Sequence, residues 1–95
     1  MATVFAMDDD MDAASMVAIR PQFEALALAD SDVELDLSKV SFIDSSGIGG
    51  IVFLYKRLVG AGRRLTVRGL AGQPLQMFKY LRITDMLAPG AAGVG

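Results

Sequence analysis

The sequence contains no cysteine and no histidine among its 95 residues. Without cysteine there is no disulfide framework, thiolate zinc site or iron–sulfur cluster. Without histidine there is no Ser-His-Asp or Cys-His catalytic arrangement, and no imidazole to bind a metal. Its hydrophobic runs are too short to cross a bilayer, and its aspartate-rich start differs from the basic start of a signal peptide. We therefore expect a cytoplasmic protein that has no cofactor and is not an enzyme.

The charges are distributed unevenly along the chain. Residues 1–50 contain ten acidic and two basic side chains, a net charge of −8, and residues 51–95 contain seven basic and one acidic, a net charge of +6; together they give −2. A basic half is typical of nucleic-acid binding, but here the bases are scattered among apolar positions without an aromatic stacking array. We therefore predict that the protein does not bind nucleic acid.

The hydrophobic content of 53% indicates one folded domain over residues 1–95, with a frayed tail at residues 88–95. Strands are predicted over residues 3–7, 33–37 and 64–68, and helices over residues 12–29, 48–59 and 74–81. Asp12 is the predicted N-cap of the first helix, and Pro21 predicts either a kink there or a later start at residues 20–21. Residues 83–87 fit a strand or a helix end. The alternation predicts a small α/β domain in which a mixed, mostly parallel sheet is covered by helices.

Hydroxyl and glycine residues cluster where the second predicted helix begins, in the run Asp44-Ser45-Ser46-Gly47. Helix N-termini have unpaired N–H groups, so we expect Ser46 to be the structural cap and Ser45 to be accessible. A phosphoryl group on Ser45 would add about two negative charges beside Asp44. Unit charges about 5 Å apart repel by ~3 kcal/mol at an effective dielectric of ~20, which is enough to change partner binding.

These residues resemble the phosphoacceptor region of STAS domains, especially of bacterial anti-sigma factor antagonists. The resemblance covers roughly residues 33–87, and its core is Val33–Asp36 followed by Phe42-Ile43-Asp44-Ser45-Ser46-Gly47-Ile48-Gly49. It implies a STAS-like fold in which Ser45 is the phosphorylation site, surrounded by Asp44, Ser46, Gly47 and Asp12. It also implies an anti-sigma factor with serine kinase activity and a serine phosphatase as partners, with the anti-sigma factor bound only when Ser45 is unmodified.

One face of the second predicted helix is a candidate partner surface. Glycines cost helix propensity, so their retention favours a close approach by another backbone. Two large apolar side chains beside them are expected to be exposed. The predicted partner-binding residues are Gly49, Gly50, Phe53, Leu54 and Arg57.

Two other functions fit the sequence. The first is a STAS accessory domain of an anion or lipid transporter, which would use the same helix face without phosphorylation and without inserting into the membrane. The second is a small nucleotide-binding domain that uses residues 45–50. The glycine spacing argues against the second function. A G-x-G-x-x-G pattern that starts at Gly47 needs a third glycine at position 52, which is Val52, and no P-loop lysine follows.

Overall fold

The computed structural model describes residues 2–83. Strands and helices alternate in the order β1 (Ala2–Ala6), α1 (Ala13–Leu28), β2 (Asp32–Asp36), α2 (Ser45–Gly60), β3 (Leu65–Arg68) and α3 (Gly72–Tyr80). The three strands form one sheet in the order β1-β2-β3, and both pairings are parallel. The predicted α/β fold is confirmed, with a sheet that is wholly parallel over these residues. The expectations for residues 84–87 and for the tail at 88–95 lie outside the described residues.

The core forms between one face of the sheet and the two long helices. Val33 and Leu35 of β2 are buried and pair in register with Leu65 and Val67 of β3. Alternate residues of a strand point to opposite faces, so these four side chains share the inner face. The helices α1 and α2 pack against each other, and they contribute Phe23, Ile51, Leu54 and Leu58 to the same core.

The first helix begins where its N-cap predicts and continues through Pro21. Asp12 forms a capping box with Ser15, so the alternative start at residues 20–21 is wrong. Proline has no N–H to donate to the carbonyl four residues earlier, that of Val17. Val17 and Pro21 are both exposed. Water can therefore hydrogen-bond to the Val17 carbonyl, and the helix tolerates the proline.

Candidate functional site

Asp44 is the N-cap of α2. Its Oδ1 accepts hydrogen bonds from the backbone N–H groups of Ser46 at 2.8 Å and Gly47 at 3.1 Å, and its carbonyl accepts from the Ile48 N–H at 3.0 Å. The prediction that Ser46 is the structural cap is therefore wrong. Ser46 is already the second residue of the helix, while the carboxylate of Asp44 lies where it can reach both free N–H groups.

Ser45 is the first residue of α2 and is exposed to solvent. Within residues 2–83 its hydroxyl makes no hydrogen bond, whereas the hydroxyl of Ser15 near the start of α1 bonds to Asp12 and to the carbonyl of Asp10. The Ser45 hydroxyl is thus sterically available to a modifying enzyme. Its phosphorylation stays a prediction.

The starts of α1 and α2 lie side by side. Met11 and Ile43 form a parallel bridge, in which the Met11 N–H donates to the Phe42 carbonyl at 3.0 Å and the Asp44 N–H donates to the Met11 carbonyl at 3.1 Å. Asp12 and Asp44, the two N-caps, directly follow the bridged residues. The carboxylate of Asp12 is held by the Ser15 N–H at 2.9 Å, and this hydrogen bond lowers the pKa of Asp12. Asp12 therefore adds a fixed negative charge to the region in which Ser45 lies.

Asp10 holds the segment that leads to α2. Its Oδ1 accepts hydrogen bonds from the Ser41 N–H at 2.9 Å, from the Ser41 hydroxyl at 3.0 Å and from the Phe42 N–H at 3.2 Å. The pKa of Asp10 lies below its ordinary value, chiefly because of the hydrogen bond from the Ser41 N–H. Within the acidic run at residues 8–12, Asp10 thus fixes the segment that leads to Ser45, and Asp12 caps α1.

An open groove runs between α1 and α2, close to Ser46. Its volume is about 480 Å³. Among its large apolar side chains, Val17 of α1 is 77% exposed and Phe53 of α2 is 37% exposed. Arg20 and Glu24 of α1 also line it. The guanidinium of Arg57 lies 5.5 Å from the centre of the Phe53 ring, within the range of a cation–π contact.

The glycines of α2 differ in what surrounds them. A Cβ built on Gly49 would meet nothing within 4 Å, so this part of the groove is open to another molecule. A Cβ on Gly50 would collide with the Met16 side chain. The close neighbour of Gly50 is therefore Met16 of α1 in the same chain. Gly50 also lines the groove, so its contact with a partner stays a prediction.

Leu54 does not belong to the exposed surface. It is 0% exposed, so the prediction that it contacts a partner is wrong. Leu54 lies three residues after Ile51 and four before Leu58, on the same face of the helix as these two buried residues. Val59, at the end of α2, is by contrast 49% exposed.

Gln73 is a site residue that the sequence did not indicate. Its side-chain amide bonds to both backbone groups of Ile43, thirty positions away in sequence. A single glutamine early in a helix carries no sequence signal of such a contact, because the pairing depends on how α3 returns to the sheet.

The described residues contain no cluster of three or more potential metal-binding side chains. Within the same part of the chain, no helix is both long and apolar enough to cross a membrane. What the site offers is an accessible hydroxyl at a helix start, next to an apolar groove.

A family model described as "Mlab, STAS domain" matches residues 2–88. The chain therefore belongs to the STAS domain family, as its resemblance implied. No curated protein sequence matches the chain. Among solved structures, it is similar to a sulfate transporter family protein from Wolinella succinogenes, with a TM-score of 0.78 and 10% sequence identity. The similarity covers 95% of this chain and 74% of that chain, and at this identity it shows the fold alone.

Proposed function

We propose that this chain is a docking module that serves as an accessory domain of a membrane transporter and binds it through the groove between α1 and α2. STAS domains generally bind partner proteins. The similar solved structure is that of a sulfate transporter family protein, which favours a transporter over an anti-sigma factor as the partner. The observation that carries the docking role is the exposed groove, with Val17 and Phe53 on its two sides.

The groove has the features of a small binding hot spot. Binding energy at interfaces is concentrated in a few side chains that become desolvated, most often aromatic residues and arginine. Phe53 supplies a ring whose position is supported by Arg57, and Val17 supplies an aliphatic surface. Gly49 leaves the helix backbone accessible, so a partner side chain can pack directly against it.

Site-specific photocrosslinking in the native cell tests this proposal. We would place p-benzoylphenylalanine at Val17, in the groove, and at Tyr80 of α3, which is 83% exposed and does not line the groove. We expect crosslinking at Val17 to a transporter subunit, and little or none at Tyr80. Crosslinking at Val17 to a soluble serine kinase instead would support the anti-sigma interpretation, and equal crosslinking at both positions would show that the groove is not the docking surface.

The variant Gly49→Ala separates docking from folding. Its methyl group meets nothing in this chain, so the domain should be at least as stable as the parent. In the complex the same methyl group would overpack the interface, and overpacking costs typically 1–3 kcal/mol. We therefore expect crosslinking at Val17 to fall by about tenfold, while the thermal midpoint is no lower than that of the parent. Unchanged crosslinking would mean that no partner packs against this part of α2.

A second candidate function is a phosphorylation switch at Ser45, which the exposure of its hydroxyl favours. Because Asp44 already binds the Ser46 and Gly47 N–H groups, a phosphoryl group would add charge next to a carboxylate and would change partner affinity. The partners of this function are an anti-sigma factor with serine kinase activity and a serine phosphatase.

Intact mass after incubation with cell extract and ATP tests the switch. A single phosphate adduct that disappears in Ser45→Ala, but persists in the control Ser46→Ala, would support it. In binding assays Ser45→Asp should weaken the complex about tenfold and Ser45→Ala should not. The absence of an adduct, or equal affinities of the two Ser45 variants, would leave only the unphosphorylated accessory role.

Nucleotide binding is not proposed. A phosphate-binding helix start needs free N–H groups, and here the carboxylate of Asp44 occupies those of Ser46 and Gly47.

A further inference from the structure

The backbone around Ile43 is hydrogen-bonded on both sides just before α2 begins. On one side, the residues flanking Ile43 bond to the backbone of Met11. On the other side, Gln73 Oε1 accepts from the Ile43 N–H at 2.8 Å, and Gln73 Nε2 donates to the Ile43 carbonyl at 2.9 Å. A carboxamide has the donor and acceptor of a peptide group. The Gln73 side chain thus takes the place of a neighbouring strand beyond the end of β3.

Ile43 cannot easily replace these two bonds with water. Its residue exposure is 0%, and a buried backbone group without a partner is costly. Ile43 immediately precedes the cap Asp44 and the exposed Ser45. Whatever fixes the backbone of Ile43 therefore fixes the direction in which the chain leads into α2.

We propose that Gln73 is a positioning residue that ties α3 to the start of α2 and sets where Asp44 and Ser45 lie. The structural role of Gln73 does not depend on the proposed function. Only its importance for docking rests on that function, because the groove begins near Ser46. A change in α3 would reach the docking site through these two hydrogen bonds. The two hydrogen bonds to Ile43 require one donor and one acceptor at the end of a side chain as long as that of glutamine.

Gln73→Glu tests the proposal with a nearly isosteric change. An ionised carboxyl accepts from the Ile43 N–H but has nothing to donate to the Ile43 carbonyl, whereas a protonated carboxyl does both. The pKa of the introduced carboxyl should therefore be raised above the ordinary glutamate value of about 4.3. The matched control is Gln76→Glu, on the exposed side of the same helix, where the carboxyl should titrate normally.

NMR on the full chain gives the readout. At pH 7 the carboxylate of Gln73→Glu repels the Ile43 carbonyl oxygen, and this repulsion should displace the side chain and break its bond to the Ile43 N–H as well. We therefore expect amide exchange of Ile43 to be at least tenfold faster than in the parent at the same pH, and the amide resonances of Asp44, Ser45 and Ser46 to shift. As the pH is lowered towards 5, the differences between Gln73→Glu and the parent at the same pH should progressively disappear. Asp10 does not interfere in this range, because its own pKa is lowered and it stays ionised. In Gln76→Glu, neither the exchange nor the resonances should change.

Two results would overturn the inference. One is a carboxyl at position 73 that titrates like the one at position 76, with unchanged exchange at Ile43. The other is faster exchange at Ile43 with no shift at Asp44 and Ser45, because Gln73 would then hold Ile43 without positioning the helix start. The crosslinking experiment judges the docking function separately, so the failure of one proposal does not hide the outcome of the other.

Discussion

Three glycines in the first half of α2 should respond differently to the same added methyl group. Replacing glycine by alanine inside a helix contributes about 1 kcal/mol of helix propensity. At Gly49 nothing opposes this gain, since a Cβ would meet no atom within 4 Å. For a domain of this size we expect the thermal midpoint of Gly49→Ala to rise by about 4–8 °C.

At Gly47 the same change should destabilise the protein. A Cβ there would lie 2.6 Å from the Met11 carbonyl oxygen, 2.6 Å from Ile43 Cγ1 and 2.7 Å from Met11 Cβ. The Met11 carbonyl cannot move freely, because it accepts the hydrogen bond of the Asp44 N–H. Overpacking of this kind costs about 1–3 kcal/mol or more, which exceeds the gain in propensity. We expect a net loss of stability and a lower thermal midpoint.

Gly50 should lie between these extremes, since the added methyl would collide mainly with the flexible end of Met16. That side chain can rotate away at modest cost, so Gly50→Ala should be close to neutral. Thermal unfolding followed by circular dichroism, together with urea titrations, gives the order of stability. If Gly47→Ala were as stable as Gly49→Ala, the close packing of the α2 start against residues 11 and 43 would be refuted.

Three further predictions concern the same region. Phe53→Ala should reduce docking but cost no more than about 2 kcal/mol of stability, since the ring is already 37% exposed; loss of the cooperative thermal transition would instead make Phe53 a core residue. Asp44→Ala should lower the free energy of unfolding by about 1 kcal/mol in urea titrations, whereas the control Ser46→Ala should have little effect. Equal effects of the two variants would contradict the assignment of Asp44 as the N-cap of α2. The pKa values of Asp10, Asp12 and Asp36 are all lowered, mainly by backbone hydrogen bonds. The stability that these three groups contribute should therefore be complete above about pH 4 and should decline as the pH falls through their folded pKa values; urea midpoints that do not fall between pH 5 and pH 3 would contradict this.

The local elements could be predicted because their signals lie within a few residues of each other. Strand alternation and helical spacing depend on neighbours one to four positions away. The capping of α1 by Asp12 is a contact within one turn. The groove could be predicted in part from the pattern of α2, in which Gly49 and Phe53 share a side of the helix.

Only the tertiary structure decided which of these residues are exposed and which pack against the protein itself. Leu54 is predicted on the partner surface but is buried in the core, and Gly50 lies against Met16 of α1. The pairing of Gln73 with Ile43 depends on how α3 returns to the sheet after β3. The sequence by itself determined the helices, the strands and the cap of α1, since these arise from short-range geometry. Burial and long-range hydrogen bonding depend on which surfaces the folded chain brings together, and no local pattern contains that information.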